Sequence, residues 1–247
     1  MALSLDGSTV ALVSGANDPV TTGSFTAPAG CLLVALCSGN SASSGGATLT
    51  PSNNGLGLTW LERAHRDGAD AGSEPGVACI WTAPVVTERA GLTVTLTSTQ
   101  GADDDGGLKM LIFTGQHAAP IGATGEGSST TNSITPNALT TTAAGSWVVG
   151  SGSDWTSAGV PTSTDTEYGW DTADVSGIAV HKATATAGSG TVVTLNFDAG
   201  GTGSAQWNWC ALEILAAAGG STVNGTAAGS FGGTGTASGV PETFGTV

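Results

Sequence analysis

Short apolar or alternating runs, broken by Gly, Pro, Asn, Asp and Ser, recur along the chain and predict strands. Val10-Ala11-Leu12-Val13 leads to a turn at Asn17-Asp18-Pro19, and Gly23-Ser24-Phe25-Thr26 precedes Pro28-Ala29-Gly30. Cys31-Leu32-Leu33-Val34-Ala35-Leu36-Cys37 is continuously apolar; its length and its flanking Gly and Pro favour a strand buried on both faces. Leu56 to Arg63, Val77 to Ala83 and Leu108 to Phe113 follow, while Leu92-Thr93-Val94-Thr95-Leu96-Thr97 alternates as a half-exposed strand should.

The second half continues the habit. Ser133-Ile134-Thr135, Ala138-Leu139-Thr140 and Ser146-Trp147-Val148-Val149-Gly150 precede a long loop, rich in acids and aromatics, from Asp154 to Ser176. Strands are then predicted at Ile178 to Ala183 and Thr191 to Phe197. The organising segment is Trp207-Asn208-Trp209-Cys210-Ala211-Leu212-Glu213-Ile214-Leu215. Trp207, Trp209, Ala211 and Glu213 share one parity, and Cys210, Leu212 and Ile214 the other, so neither face is wholly polar. That pattern predicts a strand near the middle of a sheet, covered on both sides.

No long window has a 3.6-residue apolar period, so little helix is expected. Ten or more strands with frequent turns predict an all-β fold, a jelly-roll-like β-sandwich over residues 1–215. The tryptophans within strands (Trp60, Trp81, Trp147, Trp207 and Trp209) are expected between its sheets.

Composition narrows the function classes. Five Lys plus Arg stand against 19 Asp plus Glu, a formal charge of −14 over 247 residues. Phosphate neutralisation needs clustered cations, so nucleic acid is not an expected partner, and neither is a membrane surface. No stretch approaches the roughly 20 apolar residues of a membrane span. The segment from Met1 lacks the basic and apolar regions of a secretory signal, so synthesis in a host cytoplasm without an export signal is expected. Cys31 and Cys37 lie about 20 Å apart on an extended run, too far for a mutual disulfide. No CxxC or Cys/His cluster occurs; buried thiols are expected and no metal or other cofactor, with a Cys79–Cys210 bridge left open.

The order of segments resembles a known module. Ser24-Phe25-Thr26-Ala27-Pro28-Ala29-Gly30, Leu32-Leu33-Val34-Ala35, Gly57-Leu58-Thr59-Trp60, Ile80-Trp81-Thr82-Ala83-Pro84, Phe113-Thr114-Gly115 and Trp209-Cys210-Ala211-Leu212-Glu213-Ile214 are similar to β-sandwich proteins of actinobacteriophage particles, both virion-surface and minor tail proteins. The resemblance implies a non-enzymatic virion structural protein with other virion proteins (major capsid or tail proteins) as partners. It transfers no catalytic residue. Ending at Val247, where relatives often continue into a further domain, favours capsid decoration slightly over a tail role.

Residues 216–247 form a Gly/Ala/Thr-rich segment whose only charge is Glu242. Alone it cannot bury enough surface to offset ordering, about 1–2 kcal/mol per residue. One reading is a flexible linker. The other is an assembly arm that settles on another subunit through Val223, Phe231, Val240, Phe244 and Val247.

Candidate chemistry is sparse. His65, His117 and His181 lie in separate segments, and no Gly-x-Ser-x-Gly, His-Glu-x-x-His or phosphate loop occurs, so no catalytic residues are assigned. Asp103-Asp104-Asp105-Gly106 reads as a solvated acidic turn rather than a calcium loop. The best binding candidate is the 154–176 loop: Trp155, Tyr168 and Trp170 beside Asp171 would stack on sugar rings and accept hydroxyl hydrogen bonds. The competing reading folds those aromatics inward as a cap. The expected function is thus a virion structural protein, with homo-oligomers open; the alternative is a carbohydrate-binding or adhesion module that recognises a host envelope.

Overall fold

The computed structural model describes residues 2–7, 10–40, 47–67, 76–99, 105–129, 137–154, 159–172, 175–197 and 207–217. These residues form strands and no helix. The first half contributes β1 (Ser4–Leu5), β2 (Val13–Gly15), β3 (Val20–Thr21), β4 (Phe25–Ala27), β5 (Leu32–Gly39), β6 (Leu49–Asn53), β7 (Leu61–Asp67), β8 (Val77–Pro84), β9 (Arg89–Leu92), β10 (Val94–Ser98) and β11 (Gly106–Thr114). The second contributes β12 (Gln116–Ser129), β13 (Asn137–Thr140), β14 (Trp147–Asp154), β15 (Thr166–Asp171), β16 (Ser176–His181), β17 (Val192–Leu195) and β18 (Trp207–Ala216). The segment expected as one loop from Asp154 to Ser176 contains β15, which pairs along its whole length with β16. The Ser133–Thr135 strand lies outside the described residues.

All pairings are antiparallel. One large sheet runs β1-β11-β5-β8-β7, with β2 also on β11, and a second runs β12-β18-β14-β16-β15. Smaller sheets are β3-β10-β6, β4-β9 and β13-β17. Strand parity assigns the cores. On β5, Leu33, Ala35 and Cys37 meet Leu49, Val94 and Leu96 of the β3-β10-β6 sheet. The alternate residues Leu32, Val34 and Leu36 pack with Val149, Cys210, Leu212 and Ile214 of the second large sheet. The other face of that sheet, with Val148, Ile178, Val180, Trp207 and Ala211, is covered by Leu139, Val193, Leu195 and Phe197. The result is four layers with the two large sheets inside, so β5 and β18 are apolar on both faces for the reason the sequence indicated. The expected sandwich is present as an all-β stack of antiparallel sheets, with more layers than the two anticipated.

The two halves repeat one topology. Leu32 pairs with Phe113 and Val34 with Thr82 in the first; Trp147 pairs with Ile214 and Val149 with His181 in the second. Those registers superpose Ala29-Gly30-Cys31-Leu32-Leu33-Val34 on Ala144-Gly145-Ser146-Trp147-Val148-Val149. Gly30 and Gly145 have φ of 75° and 73°, a left-handed conformation that costs glycine little. Each opens its strand with the same ties: Gly30 N–H donates to Val85 O at 2.7 Å, and Gly145 N–H to Thr186 O at 2.9 Å.

The large sheets face one another with strand order reversed, β7 against β12 and β8 against β18. Ser151 Oγ donates to Cys37 O at 2.6 Å and Ser153 Oγ to Gly39 O at 2.8 Å, so β14 and β5 run in the same direction. Reversed order with conserved direction defines a pseudo-two-fold axis between the sheets, parallel to β5 and β14. The chain is built like a dimer of two similar sandwiches joined at Gly115.

Candidate functional site

The seam between the halves concentrates the polar groups of the interior. Besides the two serine ties, Asn208 Nδ2 donates to Gly76 O at 2.7 Å and Cys210 Sγ lies 3.1 Å from Ala78 O. A serine or asparagine reaches a backbone carbonyl of a facing strand only if the sheets stand closer than the usual ~10 Å. Glycine makes that approach feasible. An ideal Cβ at Gly107 would stand 2.1 Å from Trp170 Nε1, and one at Gly177 would stand 2.4 Å from the same atom.

Trp170 is therefore a seam residue. It is 4% exposed, and its Nε1–H donates to Ser38 Oγ at 3.0 Å. Of the two sequence readings of Trp170, the inward-folded one holds and the exposed sugar-stacking one does not: the indole is covered, because two glycines leave the hole that it fills. Tyr168, two residues earlier on β15, is half-buried, with Lys109 Nζ 3.7 Å from its ring centroid. Asp171 is exposed at the strand end. Trp155, Asp174 and the arm residues Val223, Phe231, Val240, Phe244 and Val247 lie outside the described residues. Of the proposed glycan set, Tyr168 and Asp171 are the described members that keep accessible side-chain surface.

Charged groups that the sequence did not single out are buried near the seam. Lys109 lies on β11 with the parity of Leu111 and Phe113, is 2% exposed, and donates to Val10 O. Burial holds its ammonium below the ordinary lysine range. Beside it His181 is 6% exposed and its Nδ1 is 2.8 Å from Lys182 O. Its pKa is lowered, mainly by burial and further by the Lys109 charge, against raising effects of the Lys182 carbonyl and Asp165. Asp165 pairs with Lys182 at 2.6 Å and accepts from the Asn196 amide at 2.9 Å.

Glu213 is fully buried and closes the second half. Its carboxylate accepts from the amides of Ala123 (2.9 Å), Thr142 (2.9 Å) and Ala143 (3.2 Å) and from the Thr142 hydroxyl (2.8 Å). Burial pulls its pKa upward, but these hydrogen bonds outweigh it and hold the group below the ordinary carboxylate range. Asp105 corrects the reading of a solvated acidic turn at its own position: it is 2% exposed and accepts from the Thr172 hydroxyl. Asp103 and Asp104 lie outside the described residues.

The three histidines stay apart in space as in sequence. His65 Nδ1 meets Glu62 at 2.7 Å, and His117 Nδ1 accepts from the Ala119 amide at 3.0 Å. All four cysteines are buried free thiols; Cys79 faces the core of the first sandwich and Cys210 the seam, so they lie on different sides of a sheet and are not bridged. Burial pushes the Cys31 thiol up to about 12. Among the described residues no group of three His, Cys, Asp or Glu side chains could hold a metal ion, and no helix is long and apolar enough to cross a membrane. No family model, curated protein or solved structure matches the chain.

Proposed function

We propose that the chain is a non-enzymatic structural protein of a bacteriophage particle surface, either a capsid decoration protein or a minor tail protein. The observation that carries this reading is the use made of the buried polar groups. Ser38, Ser151, Ser153, Asn208 and Glu213 tie one layer to the next, a use that favours a rigid mounting block over a reaction centre. The segment resemblance supports the phage assignment, and residues 216–247 supply the docking arm in the same reading. A jelly-roll-like winding belongs to it too, supported by sheet neighbours such as β11–β5 and β5–β8 that are not consecutive in the chain.

Quantitative mass spectrometry of gradient-purified particles from the phage that encodes the chain tests the proposal. One to several hundred copies per particle supports decoration, and a few copies support the tail. Absence from particles of full infectivity overturns both. Deleting residues 217–247 should abolish incorporation while leaving the sandwiches folded. The glycan-recognition alternative keeps Tyr168 and Asp171 among the described residues and is the weaker reading, because Trp170 has no open ring face.

A further inference from the structure

The geometry points to a second site: a hollow where the halves meet, which binds a small amphiphilic monoanion, a carboxylate carried on an apolar body. The hollow has a volume of about 650 Å³ and is walled by four chain segments: the Gly30–Leu32 turn, the start of β7, the end of β8 and the start of β12. Small-molecule sites span about 300–1,000 Å³ and are mainly apolar with a few placed polar groups. Leu61, Val85, Val86 and Pro120 provide such walls. Leu61 and Val86 are 45% and 84% exposed, unusual for aliphatic side chains lining one concavity.

The charge of the ligand follows from Arg63. Its Nε donates to Thr82 Oγ1 at 2.8 Å, which fixes the guanidinium plane. Its two terminal nitrogens have no partner among the described residues, in a chain with 19 acids and five cations. Of the other four cations, Lys109 is buried, Lys182 pairs with Asp165, Arg66 donates to Ser128 Oγ, and Arg89, whose Nε has no partner, does not line the hollow. A guanidinium held by one edge presents its remaining donors as a fork that matches a carboxylate. His117 stands on the same wall, its Nδ1 turned to the Ala119 backbone, 3.0 Å from the amide nitrogen and 3.1 Å from the carbonyl oxygen, so its Nε2 edge is the one left for a ligand. Gln116 commits one Nε2 proton to Gly30 O at 2.6 Å and keeps the second N–H.

The pseudo-symmetry isolates the feature. The position equivalent to Leu32 in the second half is Trp147, a much larger side chain, and that of Leu61 is Thr166. The apolar hollow with its guanidinium therefore forms at this one place and is not a general property of the repeated fold.

The test uses the full chain and 1-anilinonaphthalene-8-sulfonate, an apolar anion whose emission rises on binding. Octanoate should displace it at roughly tenfold lower concentration than 1-octanol or octylammonium, as expected for a charge-assisted contact. Arg63→Gln should weaken octanoate about tenfold. Val86 is exposed, so charge placed there should not disturb the fold: V86K should tighten octanoate binding about threefold and V86E loosen it by a similar factor. If Arg63→Gln also lowers the unfolding midpoint, the Val86 pair decides. Equal displacement by all three competitors, or octanoate binding indifferent to both Val86 charges, overturns the proposal.

Discussion

The indole of Trp170 occupies the place where a side chain at Gly177 would begin: its Nε1 lies 2.4 Å from an ideal Cβ there. No rotation of a small methyl avoids that contact, because the ring is tied to Ser38 and pressed on its other side by Gly107. Gly177→Ala should cost about 2 kcal/mol, in the range of overpacked cores. Urea unfolding measures it, and adding Trp170→Leu should return part of the loss if the clash is the cause.

Glu213 carries two oxygens that both accept from backbone amides. An amide in its place must turn an N–H against one of those donors. Glu213→Gln should therefore destabilise by about 2–3 kcal/mol at neutral pH. Since the folded state lowers this pKa, its stabilisation is present above the unfolded value of about 4.3 and lost as pH falls through the folded value. The variant should lose less stability than the parent between pH 5 and pH 3, read from unfolding midpoints across that window.

His181 acts in the opposite chemical sense but with the same slope. Its folded pKa is lowered, so below the unfolded value of about 6.5 the unfolded chain binds the extra proton first. Stability should fall as pH drops from about 7 towards 5. In His181→Gln that part of the slope should flatten, as thermal melts at half-unit pH steps would show. An unchanged slope would mean that the ring is not held neutral beside Lys109.

The seam core containing Leu32, Val34, Phe113, Leu212 and Ile214 is shared by both halves. Cutting the chain at Gly115 should leave each half exposing that apolar face, and each should aggregate when made alone. Co-expressed as residues 1–115 and 116–247, they should co-purify as a one-to-one complex. Size exclusion with light scattering distinguishes the two outcomes.

Four buried thiols, with Cys31, Cys37 and Cys210 all raised by burial, should be inert in the native protein. A chromogenic disulfide reagent should titrate fewer than one thiol per chain natively and four in guanidinium chloride.

The strand from Trp207 to Ala216 was legible because its two parities carry different apolar sets, and the structure sends Cys210, Leu212 and Ile214 to the seam and Trp207 and Ala211 to the outer core. The duplication was not. Equivalent positions hold Leu32 and Trp147, or Lys109 and Cys210, and only hydrogen-bonded register brings them into correspondence. Trp170 was read as a candidate binder because acids surround it in sequence; the glycines that admit it, Gly107 and Gly177, lie on other strands and say nothing until those strands meet. Glu213 was visible only as an acid within an apolar strand, since its donors come from around Ala123 and Thr142. Arg63 gave no signal of its own, because what marks it is the absence of a described partner for its outer nitrogens.

Joining the two sandwiches in a single polypeptide has a consequence for how the molecule can change. In an assembly of identical subunits every substitution arrives in duplicate. Here Lys109 occurs once and faces a half that carries the neutral Cys210 at the matching place. Covalent linkage thus lets one half acquire an awkward residue while its sibling adapts, a freedom that identical partners do not have.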